Sequence, residues 1–202
     1  MKLYDSTIAP NPRRVRIFLA EKGIQVPLEP VDIGKGVNRQ PDFLAKNPLG
    51  GLPVLELDDG TCIAESLAIC EYFEDLHPEP PLIGRTPKER AVVRMWERRM
   101  ELAVMGPMLG AFRHGSPFFK GRITQVPEYV EPCRAEAGRR HVWLDEILGS
   151  RPFVAGDAYS IADITLFCTL DFAGKVGEKY DPDLKNLVAW HERMSARPSA
   201  TA

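Results

Sequence analysis

Two short stretches carry the residue types that chemistry could use. Gly50-Gly51-Leu52-Pro53-Val54 enters an extended run, and after a turn signal at Asp58-Asp59-Gly60 the chain reaches Glu65-Ser66 at the start of a segment with helical apolar spacing. A cis bond before Pro53 would turn the Leu52 main chain outward, leaving its N–H and C=O free to pair with a peptide-like ligand as an added strand. The amides opening a helix at Ser66, with the Ser66 hydroxyl placed as an N-cap, would bind a carboxylate, and Glu65 beside them would accept from an ammonium group. Taken together, the two stretches read as a site for an amino-acid head group and its adjoining peptide. Taken singly, each is also an ordinary turn or helix cap.

Other charged and nucleophilic residues offer less. Arg13, Arg14 and Arg16 form a basic cluster that reads as a solvated helix face. The 202-residue chain balances 26 Lys+Arg against 28 Asp+Glu, which argues against nucleic acid as a partner, because phosphate recognition needs a surplus of cations on one face. Cys62, Cys70, Cys133 and Cys168 contain no C-x-x-C pair and read as free thiols in a reducing compartment. His77, His141 and His191 lack metal-ligand spacing, so no metal is expected. With 44% hydrophobic and 27% charged residues the composition excludes disorder and collagen. The start MKLYDSTIAPNPRR has no signal-like apolar run, and no stretch of about 18 apolar residues occurs, so a cytoplasmic protein without a membrane span is expected.

The elements that must position these residues change character midway. Lys2-Leu3-Tyr4 is a strand candidate. Pro12 fits a first helical turn, with Val15, Phe18 and Leu19 following until Gly23. Val26, Leu28, Val31 and Ile33 read as a second, broken extended run. Residues 53–57 and 61–63 form a hairpin, and Leu67, Ile69, Tyr72, Phe73 and Leu76 a helical face ending before Pro78. This β-α-β, short helix, β-β-α order gives an α/β domain over residues 1–77. A proline-rich linker, 78–87, follows, and then an all-helical domain over 88–202, where Val92, Trp96, Met100 and Ala103, and Ala137, His141, Leu144 and Leu148, keep helical spacing. Pro107 is expected to bend or end the first of these helices. Ser160 and Asp163 form an acidic variant of a capping box.

APNPRRVRIFLAEKG, NPLGGLPVLELDDGTCIAESLAI and GDAYSIADIT, in this order, resemble glutathione transferases over nearly the whole chain, and more narrowly the fungal and bacterial GTT-type branch. The resemblance implies a thioredoxin-like domain that binds glutathione, an all-α bundle lining the pocket of a small hydrophobic electrophile, and a homodimer. Carried over by position, Leu52 and Pro53 would present main chain to the cysteinyl part of glutathione, Glu65 and Ser66 would hold the γ-glutamyl end, and Asn38 would lie near the glycyl carboxylate. Asp163 would cap a helix, a folding role. Ile8, Met108, Arg113 and Phe118 would contribute to the electrophile pocket, although Met108, like Met95, Met100 and Met105, also suits a core, and Phe118 and Phe119 also suit a loop anchor.

Two departures from the family pattern stand out. Gly51 replaces a Lys, Gln or Arg that touches glutathione in many members. The slot of the Tyr, Ser or Cys that activates the thiol falls at Ile8 or Ala9, neither of which can donate a hydrogen bond. A thiol of pKa about 8.5 is only about 3% thiolate at pH 7, and a two-unit shift requires about 2.7 kcal/mol of differential stabilisation. The candidate sources are the helix start near Pro12 with Asn11, helped by Ser6 or Thr7, and His114, acting directly or through water. Two other functions stay open. A glutathione-dependent peroxidase or reductase would normally want a cysteine at the first turn. A non-enzymatic binding protein would retain only the fold.

Overall fold

Alternating residues in the first strand set up a two-faced sheet. In the computed structural model, which describes residues 1–202, β1 (Lys2–Asp5) pairs in parallel with β2 (Leu28–Pro30) and antiparallel with β3 (Val54–Glu56), and β3 pairs antiparallel with β4 (Cys62–Ala64). The order is β2-β1-β3-β4. The parallel pair requires a crossover, supplied by α1 (Pro10–Glu21). Leu3 and Leu55 are register partners and fully buried. Tyr4 points to the other face and packs edge-on against Phe43 of α2 (Pro41–Leu44), with Val31 and Val54 around them. α3 (Ser66–Leu76) packs on α1 and buries Ile69 and Phe73 of the face expected from the sequence, with Leu67 and Tyr72 half-buried and Leu76 51% exposed past the contact.

The second half is helical throughout: α4 (Pro87–Arg99), α5 (Gly106–Gly115), α6 (Val130–Leu148), α7 (Ile161–Val176) and α8 (Lys185–Ser195). Ten consecutive α7 residues, from Ile161 to Leu170, are buried, so α7 is the central helix, and α4, α5 and α8 pack on it. Pro107 neither ends the first helix nor simply bends it. Met100–Met105 widens into a π-helical turn, in which the Gly106 N–H bonds to the Glu101 carbonyl, and α5 continues with Pro107 in its first turn. The widened turn lies immediately before the residue that has no N–H to continue the ladder. No helix is long and apolar enough to cross a membrane.

The chain divides into two compact units, Met1–Leu82 with Pro198–Ala202, and Ile83–Arg197. The C-terminal end therefore departs from the expected 88–202 boundary. Arg13 donates to the Ala200 carbonyl at 2.8 Å and the Ser199 hydroxyl bonds to Glu21, so the last residues belong to the α/β unit. Within that unit the buried Lys22 ammonium pairs with Glu74 at 2.7 Å and donates to the His77 and Pro80 carbonyls, gripping the chain where it leaves α3.

Candidate functional site

The pairing of Val54 with Ala64 puts the residues just before β3 and just after β4 at the same end of the sheet. Leu52–Pro53 is a cis peptide there, and neither the N–H nor the C=O of Leu52 makes a hydrogen bond within the chain. Across from it stands Glu65, with φ +69° and ψ 119°, the only non-glycine residue with positive φ. Such a conformation costs on the order of 1–3 kcal/mol and persists where the surroundings impose it, most often at ligand sites. The Glu65 carboxylate is exposed and has no partner in the chain.

Ser66 is not the N-cap of α3, as its type suggested. Glu65 occupies that position and Ser66 is the first helical residue. The Glu65 backbone, held at positive φ, starts the helix one residue earlier than a Ser66 cap would. Ser66 is buried, and its hydroxyl oxygen accepts from the Arg14 guanidinium at 3.2 Å. With its oxygen so engaged, the Ser66 O–H is directed elsewhere as a donor, beside the free amides of the first α3 turn. The arrangement can hold a carboxylate on Ser66 and the helix start, and an ammonium group on Glu65.

The arginines depart from the solvated face expected of them. Arg14 is fully buried, and Arg16 pairs with the buried Asp5. Their sequence neighbours carry no sign of this, because Ser66 lies on α3 and Asp5 at the end of β1, each on another element.

The approach to Leu52 is braced by residues that sequence reasoning passed over. Asn47, buried, donates from Nδ2 to the Gly51 carbonyl at 3.0 Å and accepts from the Leu49 N–H at 3.2 Å, and Arg39 donates to the Leu49 carbonyl at 2.9 Å. Asn followed by Pro-Leu-Gly-Gly is a turn signature that could have identified Asn47. Asn38 donates to the Gly50 carbonyl at 2.7 Å, so part of its amide holds this loop. Gly50 has φ +62°, and a Cβ there would stand 2.7 Å from the Asn38 carbonyl oxygen, so glycine is required. At Gly51 a Cβ would meet only Asn47 Nδ2 at 3.4 Å, so sterics do not explain its glycine.

At the start of α1 the helix opens at Pro10, earlier than expected. Of Ala9, Pro10, Asn11 and Pro12, two lack an N–H and the Ala9 N–H bonds to the Ser6 carbonyl, so Asn11 alone offers a free amide. Asn11 Oδ1 is buried without a partner, and its Nδ2 makes no hydrogen bond within the chain. Ser6 is buried, Thr7 is exposed and Ile8 is 61% exposed.

In the helical unit, His114 lies in the last turn of α5. Its Nδ1 accepts from the Val126 N–H at 3.1 Å and its ring meets Tyr129 edge-on. With Nδ1 so engaged, Nε2 is the ring nitrogen left to donate. Gln125 reinforces the same strap by donating to the Arg113 and Ser116 carbonyls. The Arg113 side chain is exposed, and Phe118, 39% exposed, stacks under Arg122 at 4.3 Å and edge-on to Phe119, which in turn packs against Phe112. Met108 does not line a pocket. It is 2% exposed and packs with Met105 and Ala173 in the core, because α5 turns that face toward α7. All four cysteines are free, and no three His, Cys, Asp or Glu side chains converge as a metal site would require.

Relief of the Glu65 strain is directly measurable. Glu65→Gly should leave the unfolding free energy of the protein unchanged or raise it by up to about 1 kcal/mol, strain relief exceeding the added unfolded-state entropy. Denaturant unfolding of Glu65→Gly beside the native protein checks this outcome.

Known proteins resemble the chain across both units. A family model described as the glutathione S-transferase N-terminal domain matches residues 8–76, and one described as the C-terminal domain matches residues 104–198. Glutathione S-transferase 2 of Saccharomyces cerevisiae is 41% identical over 98% of this chain and 87% of its own length. The crystal structure of Gtt2 from Saccharomyces cerevisiae superposes with a TM-score of 0.94 at 41% identity, covering 100% of this chain and 99% of that one. A glutathione S-transferase domain-containing protein of Marinobacter aquaeolei gives 0.93 at 42% identity, covering 98% and 99%. With a thioredoxin-like α/β unit followed by an all-helical bundle, and with motifs nearest the GTT-type branch, this chain belongs to the glutathione S-transferase family.

Proposed function

We propose that this protein is a glutathione transferase, which conjugates the thiolate of glutathione to a small hydrophobic electrophile. The observation that carries the reading is the unpaired Leu52 main chain beside a strained, partnerless Glu65 and the start of α3. Leu52 would pair with the cysteinyl unit as an added strand. Ser66 and the α3 amides would take the γ-glutamyl carboxylate and Glu65 its ammonium group. The remaining Asn38 amide hydrogen would serve the glycyl carboxylate. The thiolate then attacks the electrophilic carbon, forming a C–S bond while the leaving group or a π electron pair departs. The homodimer and cytoplasmic setting of the resemblance belong to the same reading, as do Ile8, Arg113 and Phe118 as contributors to the electrophile pocket.

Thiol activation is assigned to Asn11 and His114, with Ser6 as a further donor. The double-proline start of α1 leaves little helix-dipole assistance, because only the Asn11 N–H remains free there. In this reading the Asn11 side-chain amide would supply one donor, and His114, whose Nδ1 is occupied by the Val126 N–H, would supply another through Nε2, directly or through water. A mixed-disulfide route is disfavoured, since no cysteine lies near the first turn.

Thiolate absorbance of saturating glutathione, titrated against pH, tests this reading. The thiol pKa should fall by about two units from its free value near 8.5–9. Asn11→Ala or His114→Ala should return it toward that value, whichever group is the source. Bound glutathione with an unshifted thiol would overturn the transferase mechanism, and no binding would leave only the fold.

A further inference from the structure

Ser66 opens α3 with hydrogen-bonding capacity that the chain leaves half used. Its hydroxyl oxygen accepts from Arg14 Nη1 at 3.2 Å, and the hydroxyl hydrogen has no acceptor in the chain. A serine inside a helix commonly turns that hydrogen onto the carbonyl four residues back. For Ser66 the residue four back is Cys62, in β4, so the helix offers no such carbonyl. The N–H groups of Ser66, Leu67 and Ala68 also bond to nothing in the chain, the helical ladder beginning with the Ile69 N–H on the Glu65 carbonyl. Arg14 sets this state of the serine. A guanidinium only donates, so it meets the hydroxyl through an oxygen lone pair and can never take its hydrogen. It comes from α1, which packs on α3, and at 1% exposure it reaches a ligand only through Ser66. A bond from a cation also polarises the Ser66 O–H into a stronger donor.

From this geometry we infer that Arg14 is a positioning residue, which acts through Ser66 to make the site discriminate for ligands with a free α-carboxylate, such as the end of a γ-glutamyl unit. The inference rests on the glutathione reading of the site. A carboxylate supplies the acceptor that the Ser66 O–H lacks. A ligand without that group leaves the O–H, 95% of whose residue is buried, with no partner, and a buried donor left unpaired is costly. With Arg14 removed, the hydroxyl is no longer held as a donor, and the advantage of the carboxylate falls.

Calorimetric titration with two peptides tests this: glutathione, and γ-aminobutyryl-cysteinylglycine, which is the same tripeptide without the α-carboxylate. The native protein should bind glutathione about a hundredfold more tightly than the analogue. Arg14→Met should narrow that ratio about tenfold, by weakening glutathione while leaving the analogue's Kd in place. Ser66→Ala should narrow it at least as much, and adding Arg14→Met to Ser66→Ala should change nothing further. Arg14→Lys keeps a cation in the core but not the planar fork, and carries the test if Arg14→Met fails to fold, with a narrowing of about threefold. An arginine that merely supports the fold would weaken both peptides alike. Equal weakening, a native ratio that survives in both Arg14 variants, or a further loss in the double variant would overturn the inference and leave the glutathione reading standing. A native protein that binds neither peptide would overturn both.

Discussion

Asp163→Ala is expected to remove at least about 4 kcal/mol of stability, enough to unfold the helical unit under ordinary conditions. The Asp163 carboxylate is fully buried and accepts four hydrogen bonds. Oδ1 takes the Val154 N–H at 2.8 Å and the Trp190 indole N–H at 3.2 Å, and Oδ2 takes the Ser160 N–H at 3.0 Å and the Ser160 hydroxyl at 3.1 Å. It thereby ties the start of the central helix to the preceding loop and to α8. Alanine leaves three N–H donors buried without acceptors, at about 1–3 kcal/mol each before relaxation, and removes the acidic partner of the cap. Asp163→Asn keeps an acceptor for Val154 and Trp190 and should cost roughly half as much. Urea unfolding followed by tryptophan fluorescence measures both. A loss under about 1 kcal/mol in Asp163→Ala would show that the loop and α8 are held by packing instead.

Asp163 was legible in the sequence because capping is local: Ser160 and Asp163 lie three apart at the head of an apolar helix. The same locality made the hairpin around Asp58-Asp59-Gly60 and the α1 stop at Gly23 readable. What escaped was decided by partners distant in the chain. Arg14 and Arg16 look like any surface arginines until Ser66 and Asp5 are placed beside them. Met108 looked equally suited to a pocket or a core, and only the packing of α5 against α7 decided it. Pro107 marked a disturbance, but proline chemistry alone does not distinguish a bend from a widened turn. At the site, residue types indicated Leu52, Glu65 and Ser66, whereas the Glu65 strain and the Arg14 bond that aims the Ser66 hydroxyl emerge only from the fold.

The helical unit also carries two buried groups whose titrations oppose each other, and separating them should expose a pH dependence of about 3 kcal/mol in either direction. Burial depresses the His141 pKa from the ordinary 6.5 to about 4. Between these values the unfolded chain takes up a proton that the fold refuses, so this contribution to stability is present above pH 6.5 and is lost as pH falls toward 4. Burial raises Asp163 from 3.8 to about 6, against the hydrogen bonds it accepts from Val154, Ser160 and Trp190. Here the folded chain takes up the proton first, so stability rises as pH falls from about 6 to 4. The two windows overlap and the slopes nearly cancel. The half-buried carboxylates held below their ordinary range by hydrogen bonds, Glu56 by Lys46 and Glu136 by Arg139, lose their stabilisation mainly at still lower pH. Urea unfolding between pH 4 and 7 should therefore give a nearly flat profile for the native protein. His141→Leu removes one slope and should become more stable by about 3 kcal/mol on going from pH 6.5 to 4, relative to the native profile. Asp163→Asn removes the other and should lose a similar amount over the same range. Parallel profiles for both variants and the native protein would show that neither group keeps its unusual protonation state in the fold.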